Sequence, residues 1–130
     1  GTGILGIVAS KLGANNVMAY DIDEWSVENT RHNAQLNNTD NIKVLQGDAS
    51  IVTHFNEKFD VIVANINRNI LLHDMPMFKR VLANNGILIL SGFYANDVPL
   101  LEQKAAPLNL TLTEVKEKDE WRACIFHLKN

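Results

Sequence analysis

The sequence predicts an α/β domain in which helices pack on a mostly parallel sheet and an antiparallel hairpin closes the chain. Two observations support this fold class. Short apolar segments alternate with segments of helical periodicity along most of the 130 residues, which is typical of helices packed on a parallel sheet. Near the C-terminus, two strand-like segments follow each other across a short polar turn, which is typical of an antiparallel hairpin. We expect residues 1–130 to form one domain, which this length suits.

The first half of the sequence predicts two helices and two strands in alternation. Gly13 is placed to end the first helix, and Asp23 can cap the N-terminus of the second. The Asn37-Asn38 pair stops that second helix. The predicted elements are, in chain order, a helix over residues 4–12, a strand over 17–20 that ends at Asp21, a helix from residue 23 and a strand over 42–45.

The second half continues the alternation and then changes to the hairpin. Residues 60–64 are β-branched and uncharged after the first residue, as in a central parallel strand. A helix over about 68–82 is expected to be interrupted near Pro76. The Asn85-Gly86 pair predicts a turn into the next strand. The remaining predictions are a strand over 87–90, a helix over 98–106, and hairpin strands at about 110–115 and 121–126 around a charged turn, 116–120.

Composition excludes several classes of protein. With 12 Lys and Arg against 15 Asp and Glu and no basic block, direct nucleic-acid binding is not expected. The longest apolar runs, Val61–Ala64 and Gly86–Leu90, are far shorter than the ~20 residues that cross a bilayer, so no membrane contact is expected. The single cysteine, Cys124, cannot form an internal disulfide, and a cytoplasmic location is the simpler expectation.

The first residues carry a pattern associated with nucleotide binding. Gly1, Gly3 and Gly6 spell G-x-G-x-x-G at the head of a predicted helix, where backbone can approach a ligand closely. Asp21 follows twenty positions after Gly1, at the end of the next strand, where a carboxylate can accept from both hydroxyls of a ribose. The alternative is a plain turn followed by a helix-capping aspartate. We favour nucleotide binding, because the two features occur together at this distance.

Three further residues at strand ends are candidates for the same site. Asp48 can accept from an adenine amine or can instead cap a short helix. Ile22 can cover one face of an adenine or can belong to the core. Asn65 ends the predicted central strand, and its amide can accept from an amine nucleophile; the alternative is an asparagine that forms a turn. The four histidines show no metal-ligand spacing, so no metal is expected.

At this point the sequence resembles the class I S-adenosylmethionine-dependent methyltransferases. More specifically it is similar to the PrmA-type enzymes, which methylate a protein of the large ribosomal subunit. The resemblance covers essentially the whole chain in order. The segments that carry it are Gly1–Leu5, Lys11–Ala14, Tyr20–Asp23, Asn33–Asn37, Val63–Ile66 and Leu90–Gly92.

The resemblance implies a Rossmann-like sandwich, S-adenosyl-L-methionine as cofactor and amines of a ribosomal protein as methyl acceptor. It implies that Gly1 and Gly3 line the methionine part of the cofactor, Asp21 holds the ribose and Asp48 faces the adenine. Asn65 would lie beside the transferred methyl and help to position the amine. Such catalysis depends on orientation, since a sulfonium is already an activated methyl donor.

The resemblance also implies that the family's first strand is absent from this sequence. In that fold the first strand lies centrally, between the strands that end at Asp21 and Asn65. Without it, we expect these two strands to have unpaired edges, to pair with each other or to pair with another chain. We therefore expect further residues before Gly1 in the natural protein, and an inactive fragment without them.

Two alternative functions remain open from the sequence. A nicotinamide-dependent oxidoreductase domain has the same glycine pattern and strand-end aspartate. The terminal hairpin and the second acid, Asp48, count against it. The other alternative is an inactive fragment that does not bind a cofactor.

Overall fold

The computed structural model describes residues 16–21, 42–46, 57–65, 68–118 and 121–129. These residues contain six strands and two α-helices. In chain order the elements are β1 (Val17–Asp21), β2 (Ile42–Gln46), β3 (Phe59–Asn65), α1 (Arg68–Val81), β4 (Leu82–Phe93), α2 (Val98–Ala105), β5 (Leu110–Lys118) and β6 (Trp121–Leu128). The helices predicted over residues 4–12 and from residue 23 lie outside the described residues.

The six strands form one sheet with the order β2-β1-β3-β4-β6-β5. Strands β2, β1, β3 and β4 run parallel, whereas β6 is antiparallel to both β4 and β5. The predicted fold class, a mostly parallel sheet with a C-terminal antiparallel hairpin, is therefore confirmed. Neither helix of the described residues is long and apolar enough to cross a membrane.

Strands β1 and β3 pair directly with each other, from Val17 opposite Val61 to Asp21 opposite Asn65. This is one of the three arrangements expected when no strand lies between them. Every backbone position of β1 thus has a neighbour on each side, because β2 pairs with its other edge. As a consequence, Asp21 and Asn65, the last residues of the two strands, are immediate neighbours.

The larger part of the core covers one face of the sheet. Side chains alternate between faces along a strand, so Met18 and Tyr20 of β1 point to the same side. Helix α1 covers that side with Phe78, whose ring meets the ring of Tyr20 edge to face at a centroid distance of 5.2 Å. All three side chains are fully buried, and burying each contributes about 1.5–3 kcal/mol. This packing fixes α1 and the end of β3 relative to the sheet.

The expected interruption of α1 near Pro76 is wrong, because the helix runs without a break from Arg68 to Val81. Proline lacks the N–H that would bond to the carbonyl four residues earlier. Pro76 lies on the exposed side of the helix, where water can satisfy that carbonyl. On the opposite side Met75 and Phe78 are buried, and their packing stabilises the helix so that it continues past Pro76.

The Asn85-Gly86 turn, which the sequence predicts to precede β4, lies within that strand instead, because β4 already begins at Leu82. Asn85 has a left-handed backbone with φ 64°, and a Cβ on Gly86 would lie 2.6 Å from the Ala83 carbonyl oxygen. The ladder with β3 skips this turn, since Phe59 pairs with Leu82 and Val61 with Ile87. The turn therefore sets the register in which the rest of β4 reaches the carboxyl end of β3.

The hairpin strands are longer than the sequence predicts. Pairing extends to Lys118 opposite Trp121, so the charged residues 116–118 belong to β5 and not to the turn. β5 is an edge strand, and its charged side chains, such as Lys116 and Glu117, are exposed. Charged side chains on an exposed edge strand stay hydrated, so they cost little stability, and they discourage pairing with another chain.

Candidate functional site

The strand order places a reversal point between β1 and β3. From β1 the chain continues to β2 on one side, and from β3 it continues to β4 on the other side. In open α/β sheets, ligands bind beyond the carboxyl ends of the strands at such a point. Asp21 and Asn65 are the last residues of β1 and β3. The topology thus brings the two predicted residues to the edge where a ligand is expected.

The two side chains contact each other. Asn65 Nδ2 donates a hydrogen bond of 3.2 Å to Asp21 Oδ2. Asp21 is only 3% exposed, and Asn65 is partly exposed. Because an ionised carboxylate can only accept, the amide nitrogen of Asn65 faces Asp21 and its oxygen faces the other way, towards β4.

Ser91 on β4 is the third polar side chain at this edge. It is the register partner of Asn65, it is 1% exposed, and its Oγ donates to Asn65 Oδ1 at 3.4 Å. The sequence includes Ser91 only in the Leu90–Gly92 segment that carries the family resemblance and predicts no role for it in the site. The available signal was a hydroxyl that directly follows the apolar run 87–90. We refer to Asp21, Asn65 and Ser91 as the carboxyl-end cluster.

The carboxyl-end cluster combines two kinds of acceptor. A buried carboxylate can hold hydroxyl donors such as those of a ribose, and an amide oxygen with two lone pairs can accept an N–H in addition to the serine hydroxyl. Gly1, Gly3, Ile22 and Asp48, the other predicted binding residues, lie outside the described residues. Within the described ranges, no group of three or more His, Cys, Asp or Glu is placed to hold a metal ion.

Cys124 is a residue of the core and pairs with Leu90, directly before Ser91. The residue is fully buried on β6, and burial raises the pKa of its thiol. A thiol with a raised pKa holds its proton at neutral pH and is a poor nucleophile. Cys124 therefore contributes packing to the fold.

Comparison with known proteins gives a consistent result. The sequence profile described as "Ribosomal protein L11 methyltransferase (PrmA)" matches residues 1–129. Two curated relatives carry the name ribosomal protein L11 methyltransferase. The protein from Porphyromonas gingivalis is 51% identical over 126 residues, which are 97% of this chain and 43% of the relative. The protein from Phocaeicola vulgatus is 44% identical over 129 residues, which are 99% of this chain and 46% of the relative.

A solved structure agrees with these relatives. The crystal structure of a ribosomal protein L11 methylase from Lactobacillus delbrueckii subsp. bulgaricus superposes with a TM-score of 0.75 at 34% identity. The match covers 100% of this chain and 66% of that one. This chain therefore spans less than half the length of the two curated relatives and about two thirds of the solved structure.

Proposed function

Since this chain belongs to the family of ribosomal protein L11 methyltransferases, we propose that it forms the catalytic domain of an enzyme that methylates amines of a large-subunit ribosomal protein with S-adenosylmethionine. The observation that carries the proposal is the contact between Asp21 and Asn65 at the reversal point of the strand order. The proposal includes a cytoplasmic location, because ribosomal proteins are made and assembled there.

The chemistry of the described residues fits this cofactor. Asp21 supplies a buried carboxylate, which would hold the ribose hydroxyls through charge-assisted hydrogen bonds. Gly1 and Gly3 are proposed to line the methionine part, and Ile22 and Asp48 to hold the adenine. When bound, S-adenosylmethionine supplies a methyl group already activated by a positively charged sulfur.

Asn65 is proposed to orient the amine that accepts the methyl group. Its amide oxygen can accept an N–H from the amine, which directs the nitrogen lone pair along a fixed line. The amide is uncharged, so it does not stabilise the protonated amine, which has no lone pair and cannot attack. A carboxylate at this position would favour that unreactive form. This difference explains why an asparagine suits the position.

Binding at Asp21 can add to, or exchange, the hydrogen bond that its Oδ2 accepts from Asn65 in this structure, because a carboxylate accepts several hydrogen bonds. The bond joins two side chains and no backbone group. Hydroxyl donors can therefore replace it while the backbone ladder between β1 and β3 stays intact. An exchange would leave the bond from Ser91 to the Asn65 oxygen in place, because that bond lies on the other side of the amide.

The proposal is tested first by calorimetry on the full-length natural protein that contains this chain. We expect S-adenosylhomocysteine to bind and Asp21→Ala to weaken that binding by about 1.5–3 kcal/mol, which is roughly 10- to 150-fold, through loss of charge-assisted hydrogen bonds. The control is Asp60→Ala. Asp60 lies at the opposite end of β3, five residues from Asn65 and thus about 16 Å away. This control should leave the affinity unchanged.

The second test is transfer of a radiolabelled methyl group to purified ribosomal protein L11. Labelling at an amine, located by mass spectrometry, is the expected result. Binding of NAD in place of S-adenosylhomocysteine would instead support the oxidoreductase alternative, because Asp21 alone suits either nucleotide. Cofactor binding without methylation of any ribosomal protein would contradict the proposed acceptor.

A further inference from the structure

Ser91 is a buried polar residue on a strand that is flanked by another strand on each side. It pairs with Asn65 of β3 on one side and with Ala123 of β6 on the other. It is 1% exposed, although it follows the apolar run 87–90 in a strand that passes through the core. A buried hydroxyl needs a hydrogen-bond partner, and Asn65 Oδ1 accepts from it at 3.4 Å.

The position of the hydroxyl bears on which way the Asn65 amide faces. The amide has a donor side and an acceptor side of nearly equal shape, so its orientation depends on its neighbours. Asp21 accepts from the nitrogen side, and Ser91 donates to the oxygen side. Asp21, which can only accept, selects this orientation, and the Ser91 hydroxyl, which can donate or accept, satisfies the oxygen in it. Ser91 therefore anchors the oxygen side of the amide in the orientation that Asp21 selects.

We propose that Ser91 is a positioning residue that holds the Asn65 amide with its oxygen available to the methyl-accepting amine. This inference rests on the proposed function. Ser91 acts through Asn65 and is not itself a catalytic residue. Because its hydrogen bond is long, its contribution is that of one modest bond, and its loss should lower kcat about two- to tenfold. Cofactor affinity, which depends on Asp21, should not change.

Steady-state kinetics of the full-length natural protein tests the role. We expect Ser91→Ala to lower kcat two- to tenfold with the dissociation constant of S-adenosylhomocysteine unchanged, and Ser91→Thr, which keeps the hydroxyl, to recover activity. The matched control is Thr113→Ala. This change removes another strand hydroxyl, whose bond of 3.2 Å to the Ile125 carbonyl lies on the hairpin, and should leave kcat unchanged.

A double mutant separates positioning from a general structural effect. If Ser91 acts through Asn65, Ser91→Ala should cause no further loss of kcat in an Asn65→Ala background. Equal losses in both backgrounds, or an unchanged kcat for Ser91→Ala alone, would overturn the inference while leaving the proposed function in place.

An NMR measurement, which does not depend on enzymatic activity, tests the positioning role of Ser91 even when no methyl transfer is found. The side-chain amide of Asn65 gives its own pair of resonances in a ¹⁵N NMR spectrum. We expect Ser91→Ala to shift these resonances and to speed their exchange with solvent, and Thr113→Ala to leave them unchanged. Unchanged Asn65 resonances in Ser91→Ala would overturn the positioning role whether or not the protein is a methyltransferase.

Discussion

Polar side chains form hydrogen bonds at both ends of the β1–β3 pair, but the two ends differ in the groups that these bonds join. At the carboxyl end, the hydrogen bonds of Asn65 to Asp21 and Ser91 join side chains only. At the amino end, Asn16 bonds through its backbone as well. Its N–H donates to Asp60 Oδ2 at 3.1 Å, and its carbonyl accepts from the Asp60 N–H at 2.8 Å. The amino end thus ties the backbone of one strand to that of the other.

The side chain of Asn16 adds two more bonds, to Glu57 Oε2 at 3.1 Å and to the Lys58 carbonyl at 2.9 Å. We refer to Asn16, Glu57, Lys58 and Asp60 as the amino-end cluster. Loss of its bonds would weaken the amino end of the pairing of β1 with β3, whose backbone ladder continues from Val17 to Asp21, whereas the side-chain bonds of Asn65 at the carboxyl end join no backbone group. We therefore predict that the amino end contributes mainly to stability and that the carboxyl end, on the proposed function, contacts the ligand.

The largest expected effect is on turnover at the carboxyl end. Asn65→Ala in the full-length natural protein should lower kcat about 100-fold or more, because the amine is no longer oriented. The affinity for S-adenosylhomocysteine should fall by less than tenfold. Kinetics and calorimetry on the same preparation measure the two quantities.

Asn65→Asp distinguishes orientation from charge. The substitution keeps the shape, but it replaces the N–H that donates to Asp21 with a second carboxyl oxygen. The two acids would repel each other or share a proton, and a carboxylate also favours the protonated form of the amine, so cofactor affinity should fall as well and the activity that remains should require higher pH. Turnover of Asn65→Ala equal to that of the unmodified protein would remove Asn65 from the site. In that case the carboxyl end would serve binding alone.

The sequence predicts the location of Asp21 and Asn65 because that location follows from local pattern. Each residue directly follows an apolar run, and the carboxyl ends of parallel strands meet at one edge of a sheet. The same reasoning predicts the strands and the hairpin. It places the end of β5 too early, because charge alone does not distinguish a turn from an exposed edge strand.

The contacts within each cluster could not be predicted, because they depend on register between distant segments. Ser91 reaches Asn65 only because the turn at Asn85 shifts the ladder between β3 and β4. Asn16 meets partners that are 41–44 positions away. Local periodicity contains no information on such pairings, and the pairing of β1 with β3 was one of three open arrangements.

A smaller effect is expected on stability at the amino end. Asn16→Ala removes the two side-chain bonds and keeps the three bonds of the Asn16 backbone, so we expect the free energy of unfolding of the 130-residue chain to fall by about 1 kcal/mol. Urea denaturation followed by circular dichroism measures this change. Asn109→Ala is a poor control because Asn109 has a positive φ; Asn96→Ala, an exposed position, is suitable and should change stability by less than about 0.5 kcal/mol.

The same substitution, Asn16→Ala, also tests the difference between the two ends of the strand pair when it is made in the full-length natural protein. Asn16→Ala should leave kcat and cofactor affinity unchanged at temperatures where the protein is folded. A loss of kcat like that of Asn65→Ala would contradict the division of roles between the two ends, because it would show that the amino end also controls the geometry of the site.

The smallest expected effect is a pH dependence of stability at the amino end. A hydrogen bond from Lys43 holds the pKa of the Glu57 carboxyl below its usual value, and the bond from Asn16 adds to the shift, while partial desolvation opposes it. A carboxyl whose pKa is lower in the folded state stabilises the fold above its unfolded pKa of about 4.3. That stability is lost as the pH falls through the folded-state pKa.

Glu57→Gln tests this contribution, because glutamine keeps an acceptor for Asn16 and removes the charge. Since Glu57 and Lys43 are both exposed by more than a third of their side chains, the loss at pH 7 should stay below about 1 kcal/mol. It should decrease as the pH falls through the folded-state pKa of Glu57, where the unmodified carboxyl takes up a proton, and in 1 M salt, which screens exposed charges. Glu102→Gln, on the exposed face of α2, is the control. A difference between Glu57→Gln and the unmodified chain that did not decrease with falling pH or with added salt would show that Glu57 acts through packing and not through charge.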